Sequence, residues 1–335
     1  MKRVTLRQLR VFEQVARLRS ISAAAGVCHL TQPAVSMQLK ALEQECGLPL
    51  TELVGRQLRL TDAGETVATY ARRVQQQFDE LEQELAAVRG QQHGKLNVGI
   101  VSTAKYFASH MLAKFLEHHA GTELSLQVEN RAQILKLLAD NEIDIAIMGV
   151  PPEFLDAVAM PFADHPHGIV LNAQHPLAAR AKLVIADFAE EAFLVREPGS
   201  GTRAVMERYF ASQSFSPRKV IQMTGNEAVK QAVLAGLGVG FLSLNTIGLE
   251  RGLGLVKVPK VSGLPVMRRW HVVHRRGKQL LPIALAFRDF VRDEGGGYAE
   301  ASSSPRSARD PASRTRRTDA TARRAKARAT ARRRR

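Results

Sequence analysis

The sequence predicts an α/β protein headed by a small helical unit, and three observations carry that prediction. Residues 4 to 47 hold short amphipathic helices. Residues 63 to 89 carry an apolar repeat at heptad spacing. From Lys95 onward, short apolar strands alternate with helices, the rhythm of a mainly parallel sheet.

Leu6, Leu9, Phe12, Val15 and Ala16 mark the first helix. A second short helix with a tight turn follows from Ser22. A third is opened by Thr31, a good N-cap, with Pro33 in the first turn, where the N–H it lacks would be unpaired anyway. Val35, Leu39, Leu42 and Cys46 recur at helical spacing and predict its packed face. The opposite face centres on Pro33, Met37, Lys40 and Gln44, flanked by Ser36 and Gln38, with Glu43 near one edge. With Thr31, Gln32 and Ser22 it makes a polar, basic surface suited to a DNA major groove, where hydroxyls, amides and cations meet base edges and phosphates. The same residue types also make an ordinary solvated helix face, and the next segment weighs against that reading.

Residues 49 to 64 read Pro-Leu-Thr-Glu-Leu-Val-Gly-Arg-Gln-Leu-Arg-Leu-Thr-Asp-Ala-Gly. Gly55 can turn a hairpin, Arg56 and Arg59 face outward, and Leu58 and Leu60 point inward on a period of two. Three helices and a basic ribbon make a winged helix-turn-helix. Here the chain resembles the LysR-type transcriptional regulators, most clearly in Leu30-Thr-Gln-Pro-Ala-Val-Ser36 and Leu60-Thr-Asp-Ala-Gly64, and the resemblance spans roughly residues 4 to 294. It departs at Thr51 and Leu53, where Phe and Arg are common in the family, and at Met37, where Arg is common.

The heptad positions are Val67, Ala71, Val74, Phe78, Leu81, Leu85 and Val88, with spacings alternating four and three. This is a coiled-coil seam, and it predicts a long dimerisation helix rather than one packed only on its own chain. A dimer places two recognition helices on successive turns of double-stranded promoter DNA, so the target is expected to carry near-palindromic half-sites. The stretch from Gly90 to Gly94 then ends the helix as a hinge.

Net charge is +16, unevenly spread. Residues 299 to 335 carry +10 and residues 1 to 60 carry +5, which leaves the bulk of the chain near neutral. The larger part is therefore not itself a polyanion binder. The Arg-rich end, low in apolar residues, is expected to be disordered, either adding phosphate affinity or serving as a dispensable extension. No apolar run approaches the ~18 residues of a membrane span, and no signal-peptide core opens the chain. The two cysteines, Cys28 and Cys46, sit at apolar helix positions and read as small core residues. A cytoplasmic location is expected, with no membrane partner.

Beyond Lys95, strands are expected at Leu96–Val101, Glu123–Glu129, Asp144–Met148, Gly168–Leu171, Phe193–Val195, Lys219–Met223, Val239–Leu244 and Met267–His274, with a closing helix at Leu281–Asp293. The LysR resemblance implies two subdomains joined by crossover strands, like periplasmic binding proteins, with an effector in the cleft. The expected organisation is a DNA-binding domain at 1–62, a dimerisation helix and hinge at 63–93, effector subdomain I at 94–164 and 267–294, subdomain II at 165–266, and the tail at 295–335.

In such domains ligands bind beyond the carboxyl ends of strands, near helix N-termini. Three turns qualify. Ser102 and Thr103 follow the first strand, Glu197-Pro-Gly-Ser-Gly-Thr-Arg203 opens a later helix, and Asn226 opens a third. Ser200, Gly201, Thr202 and Arg203 supply hydroxyls, backbone donors and a cation suited to a carboxylate or phosphate ester. Plain helix capping uses the same residue types. Asn130, Arg131, Gly149 and Pro151 at two other strand ends are weaker candidates.

Within the family, Val101-Ser-Thr-Ala-Lys-Tyr-Phe107 and Val128-Glu-Asn-Arg131 look most like the Calvin-cycle (RuBisCO operon) activators. That resemblance implies regulation of carbon-dioxide fixation genes, RNA polymerase as a partner, a dimer or tetramer, and an anionic effector such as a sugar phosphate, a phosphoenolpyruvate-like acid or a dinucleotide. Another metabolic operon stays open as the target.

Enzyme readings fail in detail. Gly236-Leu-Gly-Val-Gly240 lacks the third spaced glycine of a dinucleotide fingerprint and leads into a strand. Gly199-Ser-Gly-Thr202 has no Walker lysine after it, and Ser200 is not in a nucleophile elbow. His118-His119 and His165-Pro-His167 lack partners at metal spacing and read as surface histidines. No cofactor, metal or catalytic residue is expected.

Overall fold

The computed structural model describes residues 3–55, 57–88 and 94–303. The head consists of α1 (Leu6–Leu18), α2 (Ile21–Cys28) and α3 (Gln32–Cys46), followed by an antiparallel ribbon of β1 (Thr51–Val54) and β2 (Gln57–Leu60). Each helix is capped by its own sequence. Thr5 and Gln8 form a capping box on α1, Ser20 caps α2, and Thr31 accepts the Ala34 N–H at the start of α3. Phe12, Leu39, Leu42, Leu50 and Ala68 form one buried cluster, and Val11, Val15, Ala24 and Val35 another. Leu6, expected on the packed face, is 48 % exposed, and Val11 completes the buried stripe instead.

The long helix α4 (Asp62–Val88) begins against the ribbon. A Cβ on Gly64 would lie 2.0 Å from the Leu50 carbonyl oxygen, so only glycine permits that approach. Thr61 fixes the same corner, donating from its hydroxyl to the Pro49 carbonyl at 2.7 Å and accepting the Gly64 N–H at 3.0 Å.

The rest of the chain supplies β3 (Lys95–Val101), α5 (Lys105–His118), β4 (Glu123–Glu129), α6 (Arg131–Ala139), β5 (Ile145–Met148), β6 (Ala157–Asn172), β7 (Ala192–Arg196), α7 (Gly201–Ser212), β8 (Lys219–Met223), α8 (Asn226–Leu234), β9 (Val239–Ser243), α9 (Gly248–Gly252), β10 (Val256–Lys257), β11 (Val266–Arg275) and α10 (Pro282–Ser303). Two compact units result. The first comprises Met1–Ala163, Gly199–Gly201 and Arg269–Gly296; the second comprises Asp164–Pro198, Thr202–Arg268 and the residues from Gly297.

In the first unit β3 is parallel to β4 and β5, and β11 runs antiparallel to β5. Its aromatic core sets Phe107 edge-on to Trp270 at 5.2 Å and Phe115 edge-on to Phe287 at 5.0 Å. In the second, β7 is parallel to β8 and β9, and β6 runs antiparallel to β9 and β10. Phe193, Tyr209, Phe210 and Phe241 pack on one face of that sheet, with Leu194, Val229, Val233 and Leu242 on the other.

The closing helix corrects the sequence reading. It was expected to stop near Asp293, with an irregular tail from 295, yet α10 runs on to Ser303 through three consecutive glycines. A Cβ on Gly295 would meet the Phe162 ring at 2.8 Å, and one on Gly296 the Phe162 carbonyl at 3.1 Å. Gly295 and Gly296 are thus the residues small enough to pass Phe162, while Gly297 has open space. Beyond them, Ala299 is buried and its carbonyl accepts the Asn245 side-chain N–H at 2.9 Å. The remainder of the Arg-rich end, 304–335, lies outside the described residues, as do residues 89–93, which include all of the expected Gly90–Gly94 hinge but Gly94. Among the described residues no helix is long and apolar enough to cross a membrane.

Candidate functional site

On α3 the packed residues Val35, Leu39 and Leu42 turn inward, which leaves Thr31, Gln32, Pro33, Met37 and Lys40 exposed, with Ser36 and Gln38 half-buried beside them. Met37 is 71 % exposed, an apolar side chain at the centre of a polar face. Ser22 is exposed on α2, its hydroxyl 3.2 Å from that of Ser20. Arg59 is exposed on β2 opposite Glu52, while Leu58 and Leu60 turn inward. Arg56, at the ribbon turn, lies outside the described residues. Glu43 has a role the sequence did not suggest. Its Oε1 accepts the Leu50 N–H at 2.9 Å, the Thr51 N–H at 3.2 Å and the Thr51 hydroxyl at 3.3 Å. The departure at Thr51 thus gains a hydrogen bond that a Phe there could not make.

Along α4 the seam divides. Ala71 is buried and Val67 and Val74 are half-buried, with Val67 packed on the head cluster of its own chain. Phe78, Leu81 and Leu85 are 42 %, 48 % and 46 % exposed, and the Val88 side chain lies outside the described residues.

The predicted effector residues fall into two groups. In the first unit, α6 and the Gly199–Gly201 segment meet: the Ala132 N–H donates to the Gly199 carbonyl at 3.2 Å, and a Cβ on Gly201 would lie 3.3 Å from Arg131 Cδ. Asn130 caps α6 by accepting the Gln133 N–H, and Arg131 donates to the Val150 carbonyl at 2.9 Å, beside half-buried Gly149 and Pro151. Ser200 is buried. Thr103 is buried at the start of α5, but the cap position is Ala104, which makes no side-chain cap. The Thr103 hydroxyl makes no hydrogen bond among the described residues, so capping does not account for it. The Ser102 N–H donates to the Glu129 carbonyl at 2.8 Å.

In the second unit, a polar cluster forms where β7 ends and α8 begins. Arg196, 2 % exposed, donates to Glu197 at 2.6 and 2.7 Å and to the Asn226 side-chain oxygen. Burial opposes the charge on Glu197, yet hydrogen bonds from Arg196 and from the Gly225 N–H outweigh it and pull its carboxyl down to about 2. Asn226 is 1 % exposed, and its amide nitrogen is buried without a hydrogen-bond partner. A buried orphan donor costs roughly 1–3 kcal/mol, which a ligand oxygen would relieve. Thr202 is also buried, with its hydroxyl unpaired among the described residues. Arg203 is committed elsewhere, to Glu207 at 2.7 Å, Gln222 at 2.9 Å and the Arg196 carbonyl at 3.1 Å. Sequence reading missed Arg196 because it ends an apolar strand. The available signal was that cation directly before Glu-Pro-Gly.

Among the described residues no three His, Cys, Asp or Glu side chains gather to hold a metal. His165 and His167 are not at the surface: both are buried, their rings 4.1 Å apart, and His165 Nε2 lies 2.9 Å from the Ser243 hydroxyl.

A recognition helix with a ribbon, followed by a two-unit α/β region, defines a class that comparison makes specific. Residues 6–65 match the bacterial regulatory helix-turn-helix family of lysR type, and residues 89–296 match the LysR substrate binding domain. The chain belongs to the LysR family of DNA-binding transcriptional regulators. It is 46 % identical over 291 residues, 87 % of its length and 96 % of the relative's, to the RuBisCO operon transcriptional regulator of Allochromatium vinosum. It is 44 % identical to the HTH-type transcriptional regulator CfxR of Cupriavidus necator, covering 87 % of this chain and 92 % of that one. Among solved structures it is similar to the Synechocystis CcmR regulatory domain in complex with 2-PG, at 35 % identity and a TM-score of 0.57, covering 60 % of this chain and 98 % of that one. The full-length relatives are named as regulators, not enzymes.

Proposed function

We propose that this chain regulates transcription of carbon-dioxide fixation (Calvin-cycle) genes from the cytoplasm, as a dimer or tetramer that binds near-palindromic promoter DNA and contacts RNA polymerase. The observation that carries the target is the 46 % identity over nearly the whole of a named RuBisCO operon regulator. DNA contact is assigned to Ser22, the exposed face of α3 from Thr31 to Lys40, and the ribbon arginines Arg56 and Arg59.

The effector is a small phosphate-bearing or carboxylate anion, a class supported by the 2-PG complex of the CcmR domain. In the first unit the recognising group is the Thr103 hydroxyl, with Ser102, Asn130, Arg131, Gly149, Pro151, Ser200 and Gly201 as further members of the site. In the second unit it is the Asn226 amide, whose oxygen Arg196 holds while Glu197 holds Arg196, together with the Thr202 hydroxyl. An effector that changes DNA affinity must have its own affinity changed by DNA by the same factor.

The test is DNA binding by residues 1–303, which keeps α10 whole and removes the charge of the Arg-rich end. Anisotropy titrations would use the gene's own upstream intergenic DNA and a scrambled duplex, with and without 2-phosphoglycolate and ribulose 1,5-bisphosphate. Selective binding shifted by one of these supports the reading. Selective binding indifferent to both, but shifted by an unrelated metabolite, moves the protein to another operon. Equal binding to the two duplexes removes the promoter assignment.

A further inference from the structure

We propose that the second unit holds a separate anion site, in the cavity where Arg208 of α7 and Arg268 of β11 converge, and that it takes a small phosphate-bearing metabolite. The site stands apart from the Arg196–Asn226 cluster and does not rest on the effector assignment made there.

The cavity has a volume of about 410 Å³, within the range of small-molecule sites. One wall is α7 and the other is the segment entering β11. The two walls are fastened together. The Tyr209 hydroxyl donates to the Ser262 carbonyl at 2.8 Å, and Gly263, at φ +75°, approaches so closely that a Cβ there would lie 3.3 Å from the Tyr209 ring.

Both guanidinium groups line this space, and among the described residues neither makes a hydrogen bond or an ion pair. Of the other arginines described for the second unit, Arg180, Arg196, Arg203 and Arg218 each have a carboxylate within reach, and only Arg251 does not. Two like charges brought together without a counter-charge repel, the more so because Arg268 is half-buried. Burial first, and then the neighbouring Arg208 charge, pull Arg268 below its ordinary value. Tyr209, which lines the same cavity, is kept protonated by burial, and His165 and His167, which feel the Arg268 charge, are kept neutral by burial, so none of the three supplies a negative charge. Ser212 and Gln213 add neutral polar groups to the wall.

A phosphate group answers this arrangement. Its oxygens accept from planar guanidinium forks, in pairs, and its charge removes the repulsion. A carboxylate could bridge both guanidinium groups but would offset only one of their two charges, so a dianion is the better match.

The experiment is calorimetric titration of the full-length protein with inorganic phosphate and with 2-phosphoglycolate, at ionic strength held constant with chloride. Wild type is expected to show a site that the R208Q/R268Q double variant loses or binds at least tenfold more weakly, while N226A retains it. Both arginines have solvent access, so the fold is expected to survive, and thermal unfolding of the double variant checks this. R208Q alone, at an exposed position, is expected to weaken the same site. Several results overturn the proposal: no phosphate site in wild type, an unchanged site in the double variant, or the same heat with chloride alone. So does a double variant that binds phosphate normally but loses DNA affinity, which would assign the arginines to the DNA backbone. Failure of the effector reading appears separately, as an undiminished metabolite response in N226A or no response in wild type.

Discussion

Glu43 on α3 accepts the backbone N–H of Leu50 at 2.9 Å, so the helix that presents the DNA-facing residues also fixes the start of the ribbon. Leu50 is fully buried. Removing the acceptor strands a buried donor, at a cost of about 1–3 kcal/mol. Glu43→Ala is expected to lose that much stability in urea unfolding and to weaken DNA binding. Glu43→Gln, which keeps an acceptor, should lose clearly less. Equal losses in the two variants would show that these hydrogen bonds are not what holds the corner.

Gly64→Ala tests the same corner from the other side. Its new Cβ would lie 2.0 Å from the Leu50 carbonyl, so either α4 or the ribbon must shift. Overpacking of this kind costs about 1–3 kcal/mol or more. The thermal midpoint should fall by several degrees; an unchanged midpoint would mean that α4 does not start against Leu50.

Lys40 and Arg59 are exposed cations of the head. If each neutralises one phosphate, replacing either with Ala should reduce the slope of log K against log salt by about 0.9. Met37→Ala should leave that slope untouched while changing the preference among operator sequences. A slope unchanged for both cations would take them off the list of phosphate contacts.

Phe78, Leu81 and Leu85 are the open part of the α4 seam, while Val67 and Ala71 already have neighbours in their own chain. Leu81→Arg with Leu85→Arg is expected to shift the protein toward monomers in sedimentation velocity. The head should keep its fold, because neither residue belongs to its clusters. An unchanged oligomer would place the self-association surface elsewhere.

His167 predicts a pH response. Burial holds its pKa at about 4, against 6.5 when exposed, although the hydrogen bond to the His165 carbonyl opposes the shift. The unfolded chain therefore binds the extra proton between those values. Stability is fully present above pH 6.5 and is lost as the pH falls toward 4. His167→Gln should flatten the decline in urea midpoint between pH 7 and 5. A decline as steep as in wild type would assign it to other groups, His165 among them.

Much of this was legible from side-chain periodicity. Val35, Leu39 and Leu42 announced the packed face of α3, and Leu58 and Leu60 the inner face of the ribbon, because one buried face leaves a period in the sequence. Glu123–Glu129 and Lys219–Met223 were bounded correctly as strands for the same reason. What escaped depends on contacts between distant residues. Three successive glycines read as a helix stop unless Phe162 is known to lie against the first two. Arg196 reads as a strand end until Asn226 and Glu197 close around it. His165 and His167 read as surface residues because polar rings are not an expected part of a buried face, yet their alternation with exposed Asp164 and half-buried Pro166 sets both on one. No single-residue propensity encodes such pairings.

The α4 helix is 27 residues long, and at 1.5 Å per residue it extends about 40 Å. A rod of that length converts angle into distance. A tilt of about 5° at one end carries the other end through roughly 3.5 Å, close to the rise of one base pair. A regulator built on such a lever needs no rearrangement inside its reading head to change which bases that head meets. A few degrees at the fulcrum move it one step along the duplex.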